Sequence, residues 1–271
     1  MSPLEVTVDL SGPFATLQRG LQHTVERVAI GLNATLNEPE AQSLFPQVFV
    51  QLMPSSEPAM TFEEAKTDFP SWILACGFRD AVEDVSSYLE DSRSVLAALA
   101  FGPKPNIPEA QFRDAISREG TQGDAFRKAN FPAKISMLQK SFDLAVDLAP
   151  EVLSINRARA CLVHRAGFVA AADCDSDDVL RLLWRAPVLL RRDSKGEHPL
   201  IPNEVVEEES QIVLRVDAKS RTLKIGDLVR MDAQEFMEVC FTIMTFADGL
   251  RMNVEQYAKA IGHPTAGEGG S

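Results

Sequence analysis

"SINRARACLVHRAGFVAAADCDSDDVLRLLWRAPVLLRR", Ser154–Arg192, changes its apolar period part-way through. Up to Gly167 it reads as a helix. Pro150, just upstream, suits a first helical turn, and Gly167 is a natural residue to stop on. Beyond Gly167 the helical spacing is lost. "VLRLLWRAPVLLRR", Val179–Arg192, reads as a strand. In "QIVLRVDAKSRTLKIGDLV", Gln211–Val229, the residues Ile212, Leu214 and Val216 alternate with polar ones. Asp217–Ser220 is expected to turn the chain into Leu223 and Ile225. The polar stretch Asp193–Ser210 is expected to be a loop.

Helices are predicted on both sides of this β segment. Phe14, Leu17, Leu21, Val25, Val28, Leu32 and Leu36 recur at steps of three and four, as on one helical face. Val48–Met53 is a short apolar run between prolines. Thr61 with Glu64 fits a capping box, and Asp68 before Pro70 offers a second helix start. From there Trp72, Ala75, Val82, Val85, Leu89 and Leu96 share a face, up to the breakers of Gly102–Pro108. A short helix is expected from Pro108 to about Glu119, broken at Gly120–Asp124. Another follows Pro132, with Ile135, Leu138, Phe142 and Val146 on one side. Asp232 and Glu235 form a further capping box. It opens a closing helix with Phe236, Val239, Ile243, Phe246, Leu250, Val254 and Tyr257 in step.

The expected fold class is therefore mainly α (α+β). A single domain, residues 1–262, is a helical bundle with a small antiparallel β insertion, 179–230, before the last long helix. The tail 263–271 is expected to be disordered.

The chain has 271 residues and a formal net charge of -12, which argues against a surface that coats DNA or RNA generally. A local basic site remains compatible, since screening confines fields to about 8 Å at physiological salt. The four cysteines and four histidines show neither CxxC nor zinc-ligand spacing. No metal and no cofactor are expected. The acidic loop Asp173–Asp178 lacks the glycine and distal glutamate of an EF-hand. The start of the chain does not read as a signal peptide, and no apolar run reaches the ~20 residues of a membrane span. The expected setting is cytoplasmic, with no membrane partner.

The stretch from Ser154 to Gly167 holds three arginines, one histidine and no acid. On a helix, Arg157, Cys161 and His164 fall close to one line. Arginine donates a planar fork suited to phosphate, and histidine exchanges protons near neutrality. These are the parts of a phosphodiester-cleaving site that needs no metal. The competing reading is structural, with cations favouring the end of a helix.

"SINRARACLVHRAGFV" resembles the signature helix of HEPN-type proteins, in which an arginine precedes a histidine that opens onto an "HRxG" end. "NFPAKISMLQKSF" upstream, and "RLLWRAPVLL" and "LKIGDLVRMDAQEFMEVC" downstream, are similar to a group of bacterial HEPN-like proteins. The resemblance covers roughly residues 60–260 and is strongest over Asn130–Val169. It implies an α-helical homodimer whose motif helices meet across the interface, acting either as a metal-independent endoribonuclease or as a non-catalytic RNA or nucleotide binder. Carried over by residue, it makes Arg159 the motif arginine and His164 the motif histidine, the catalytic pair. Arg157, Asn156 and Arg165, on the same cationic stretch, are expected to contact substrate. The position after the motif arginine, usually polar in the family, is Ala160. Asn156 lies one turn earlier on the same face and would supply the missing amide. The alternative is a non-catalytic dimerisation or protein-interaction module in which this helix is structural.

Overall fold

The computed structural model describes residues 9–37, 62–101, 109–193, 196–200 and 211–262. The expected elements at Val48–Met53, Thr61 and Gly102–Pro108, and the tail 263–271, lie outside the described residues. Six α-helices and a three-stranded antiparallel sheet placed before the last helix make up the described fold, an α+β architecture. Among the described residues no helix is long and apolar enough to cross a membrane.

Helix α1, Gly12–Asn37, starts where the Asp9 carboxylate accepts hydrogen bonds from Ser11 and from the Gly12 amide. It lies along α2, Phe62–Phe101. Gly77 of α2 makes this packing close. A Cβ there would stand 2.4 Å from Val28 of α1 and 3.1 Å from Phe236 of the last helix, so the three helices converge on a residue with no side chain. Pro70 sits inside α2, not at its start. One 40-residue helix runs through the position where a boundary is expected from the sequence, and Trp72 is exposed rather than on the core face.

Helix α3, Glu109–Lys128, likewise continues through Gly120 and Gly123, which cost helix stability without ending it. Helix α4, Phe131–Phe142, is capped by Asn130, whose side chain accepts from the Ala133 amide at 2.9 Å. It ends at Asp143, whose φ of 49° is left-handed. Val146 is buried but lies beyond the helix, in the link to α5, Ala149–His164.

The sheet is built from β1, Val179–Asp193, β2, Gly196–Pro199, and β3, Gln211–Lys224, in the order β2-β1-β3. Two expectations fail here. Gly196–Pro199, within the expected loop, pairs with Leu190–Asp193 as a third strand. Asp217–Ser220 forms no turn; it runs on in β3, opposite Leu183–Ala186. A long regular partner strand overrides the local turn chemistry of Asp and Ser. Helix α6, Ala233–Ala260, closes the fold behind the expected capping box: the Asp232 carboxylate accepts from the Glu235 amide at 2.8 Å, and the Glu235 carboxylate from the Asp232 amide at 3.1 Å.

Leu180, Leu182, Trp184 and Ala186 of β1 join Phe78, Leu89, Leu96, Leu138, Ile155, Phe236, Ile243, Phe246 and Leu250 in the core. The edge of β1 that faces away from β3 is closed by two helices. Buried Ser154 of α5 accepts from the Leu183 amide at 2.9 Å. Buried Thr242 of α6 accepts from the Arg185 amide at 2.8 Å and donates to that residue's carbonyl or to Glu238's. Side-chain hydroxyls thus stand where a neighbouring strand would supply backbone groups.

Candidate functional site

The expected site lies on α5, whose buried face is Val152, Ser154, Ile155, Ala158 and Cys161. Burial against this core pushes the Cys161 thiol up to about 12, with Asp173 adding to the rise, so it stays a protonated packing group. Arg157 and Arg159 flank that buried face on opposite sides, about 160° apart at ~100° per residue. Asn156, Ala160, Val163 and His164 occupy the outer strip between them. Val163 and His164 are exposed, and Asn156 and Ala160 are half-buried.

The acids missing from Ser154–Gly167 arrive from elsewhere in the chain. Arg159 pairs with Glu83 of α2. Arg165 pairs with Asp173, a buried carboxylate that also accepts from the Ala170 amide at 2.9 Å. The Nε atoms of both arginines are buried without a hydrogen-bond partner, so each guanidinium is anchored through its outer nitrogens alone. His164 and Arg157 make no side-chain hydrogen bond or ion pair to any described residue. The expected site residues therefore divide. Arg159 and Arg165 are tied into the fold, while His164, Arg157 and Asn156 remain open on one side of the helix.

The end of the helix is fixed in detail. The Arg165 and Gly167 amides both donate to the Cys161 carbonyl, at 3.0 and 2.9 Å. Gly167 has φ +88°, and a Cβ on it would stand 2.9 Å from Leu228. Its carbonyl accepts from Val229 at 2.8 Å, and Val169 exchanges bonds with Asp227 and Gly226. The glycine of "HRAG" thus docks the end of α5 onto the strand-to-helix link before α6.

Glu83 also borders a shallow cleft of about 260 Å³ between α1 and α2, lined by His23, Arg27, Asp80 and Asp84 among others. Burial raises the Asp84 carboxyl above its ordinary range and Asp80 adds to this, while Arg27 and His23 act the other way. From the sequence alone, Arg79, Asp80, Glu83 and Asp84 read as a solvated helix face with local ion pairs. Arg79 and Asp80 do pair at 3.0 Å, but Glu83 reaches α5 and Asp84 abuts Gly20 of α1. His23 and Arg27 stand one turn apart on α1; that they meet acids of α2 is a tertiary fact the sequence does not show. In the loop Asp173–Asp178, Arg165 holds Asp173, and Arg181 holds both Asp175 and Asp177. No group of acids, histidines and cysteines among the described residues is arranged to hold a metal ion.

The chain matches no protein-family model, no curated protein and no solved structure.

Proposed function

We propose that α5 presents a single-stranded RNA site of the kind its HEPN-like signature implies, completed by a second copy of the chain in a homodimer. The observation that supports this reading is the open pair His164 and Arg157. They stand in line along the part of α5 from Ser154 onward, which carries no acid, with Asn156 beside them, and no described acid neutralises either. In such a site the RNA 2′-hydroxyl attacks the adjacent phosphorus while a neutral His164 takes its proton. A protonated His164 from the second copy returns a proton to the departing 5′-oxygen, leaving a 2′,3′-cyclic phosphate. Arg157 stabilises the charge on the phosphorane. Arg159 joins only by leaving Glu83. The four free cysteines accord with a reducing, cytoplasmic setting.

A second reading is favoured by a different observation. The outer strip carries Ala160 and Val163, the latter 39% exposed, which suit a helix seam without catalysis. One experiment separates the two. Wild-type protein in chelator is incubated with single-stranded RNA pools, beside His164→Ala, Arg157→Ala and Glu83→Gln. Cyclic-phosphate products lost in His164→Ala, and cut by about 10² in Arg157→Ala, support catalysis. Glu83→Gln should raise RNA affinity by freeing Arg159. Equal product from wild type and His164→Ala refutes cleavage. If, in addition, RNA retention does not fall with salt, the RNA reading fails and the seam stands.

A further inference from the structure

We propose that the open edge of β3 is a seat for a second copy of this chain, the two β3 strands pairing antiparallel about a two-fold axis at Val216. The pairing register fixes which backbone groups are free. The Leu183 and Arg185 amides bond to Ser154 and Thr242, so odd-numbered residues of β1 point away from β3. Even-numbered residues of β1 therefore bond to β3, and their partners there are odd: Leu182 with Arg221, Trp184 with Lys219, Ala186 with Asp217. The amides and carbonyls of Ile212, Leu214, Val216, Ala218 and Ser220 thus point to the outer edge, where no described strand lies.

The same residues carry their side chains on the face turned away from Trp184 and Ala186. There Ile212, Leu214 and Val216 are 68%, 56% and 43% exposed, with Leu189 of β1 beside them at 50%. A long edge strand with an apolar outer face is a template for strand addition. The charges select the partner and the register. With the axis at Val216, Arg215 of each copy faces Asp217 of the other. Their present in-strand contact at 2.7 Å then becomes a four-membered ring of alternating charge. Lys219 and Arg221 bring no unpaired cation, since Glu238 and Glu235 hold them. An axis at Ala218 would set Arg215 against Arg221. An axis at Leu214 would shorten the overlap from residues 211–221 to 211–217. The Val216 register gives about ten backbone hydrogen bonds. This seam lies across β1 from α5 and does not depend on the RNA reading.

Cysteine scanning in the full chain tests it. In the proposed register, Val216 faces its own copy with Cα atoms about 5.5 Å apart, within reach of a disulfide. Leu214 faces Ala218, about 14 Å along the strand from the other Leu214. Mild oxidation of Val216→Cys should give a covalent dimer on a non-reducing gel. Leu214→Cys should stay at the background that Cys76 and Cys174 set in the wild type. Val216→Lys, folded by circular dichroism, should lower the sedimentation mass. The proposal is overturned if neither variant cross-links, if Leu214→Cys links as well as Val216→Cys, or if Val216→Lys leaves the mass unchanged. The last two outcomes would also be those of an edge covered by the chain's own residues or of a different axis.

Discussion

Thr242→Val is the sharpest probe of how the helices hold the sheet. Valine keeps the shape of threonine, so no cavity opens, and the two differ little in helix propensity. What is lost is one oxygen that accepts from the Arg185 amide at 2.8 Å and is itself fully buried. The amide is then left without a partner at a sealed edge, which costs about 1–3 kcal/mol. For a domain of this size, each kcal/mol moves the melting temperature by roughly 2–4 °C, so a fall of about 2–12 °C is expected. Ser154→Ala should act on the Leu183 amide in the same way. Urea unfolding followed by circular dichroism gives the free energy, and amide exchange locates it. The Arg185 and Leu183 amides should lose protection in their respective variants while the β1–β3 ladder keeps its own. A change below about 0.5 kcal/mol with unaltered exchange would refute the view that these hydroxyls replace a strand.

Gly167→Ala should destabilise by more than about 1 kcal/mol in urea unfolding, because φ +88° strains any other residue and Leu228 blocks the Cβ; wild-type stability would show the turn to be free. Glu238 gives a pH signature. Burial raises its carboxyl, but hydrogen bonds from Gln234, Trp184 and Lys219 outweigh this and hold it below its ordinary value of 4.5. Its contribution is thus fully present above that value and is lost as pH falls through the lowered one. Wild type should therefore lose more stability than Glu238→Gln between about pH 5 and pH 3; parallel curves would contradict the assignment.

The helical elements were legible because their evidence is local. The capping box at Asp232 and Glu235, and the core stripe from Phe236 to Val254, follow from spacing alone. Breakers misled where packing overruled them. Pro70, Gly120 and Gly123 look like boundaries, yet a helix tolerates each when its faces are otherwise engaged. In β3 the turn chemistry of Asp217–Ser220 was overruled in the same way, by pairing with β1. The alternation of Ile212, Leu214 and Val216 was correctly read as a strand, but nothing in one strand says which face is covered, and these three lie outward. The site was legible only as an inventory. His164, Arg157 and Arg159 could be named from the sequence, but that Glu83, 76 positions earlier, would claim Arg159 depends on how α2 lies against α5.

The hydroxyl caps on β1 also set a valence. A sheet with two bare edges is a monomer unit of a fibre, since every addition exposes a fresh edge. Here one side is closed along Leu183–Arg185 by α5 and α6. Beyond it, among the described residues, stands only β2, four residues long and ending in Pro199, which has no amide to donate. The sheet can therefore be extended on one side only, and a copy added at β3 turns its own sealed side outward. Growth by strand addition ends at two, so an exposed apolar strand is compatible with a discrete particle.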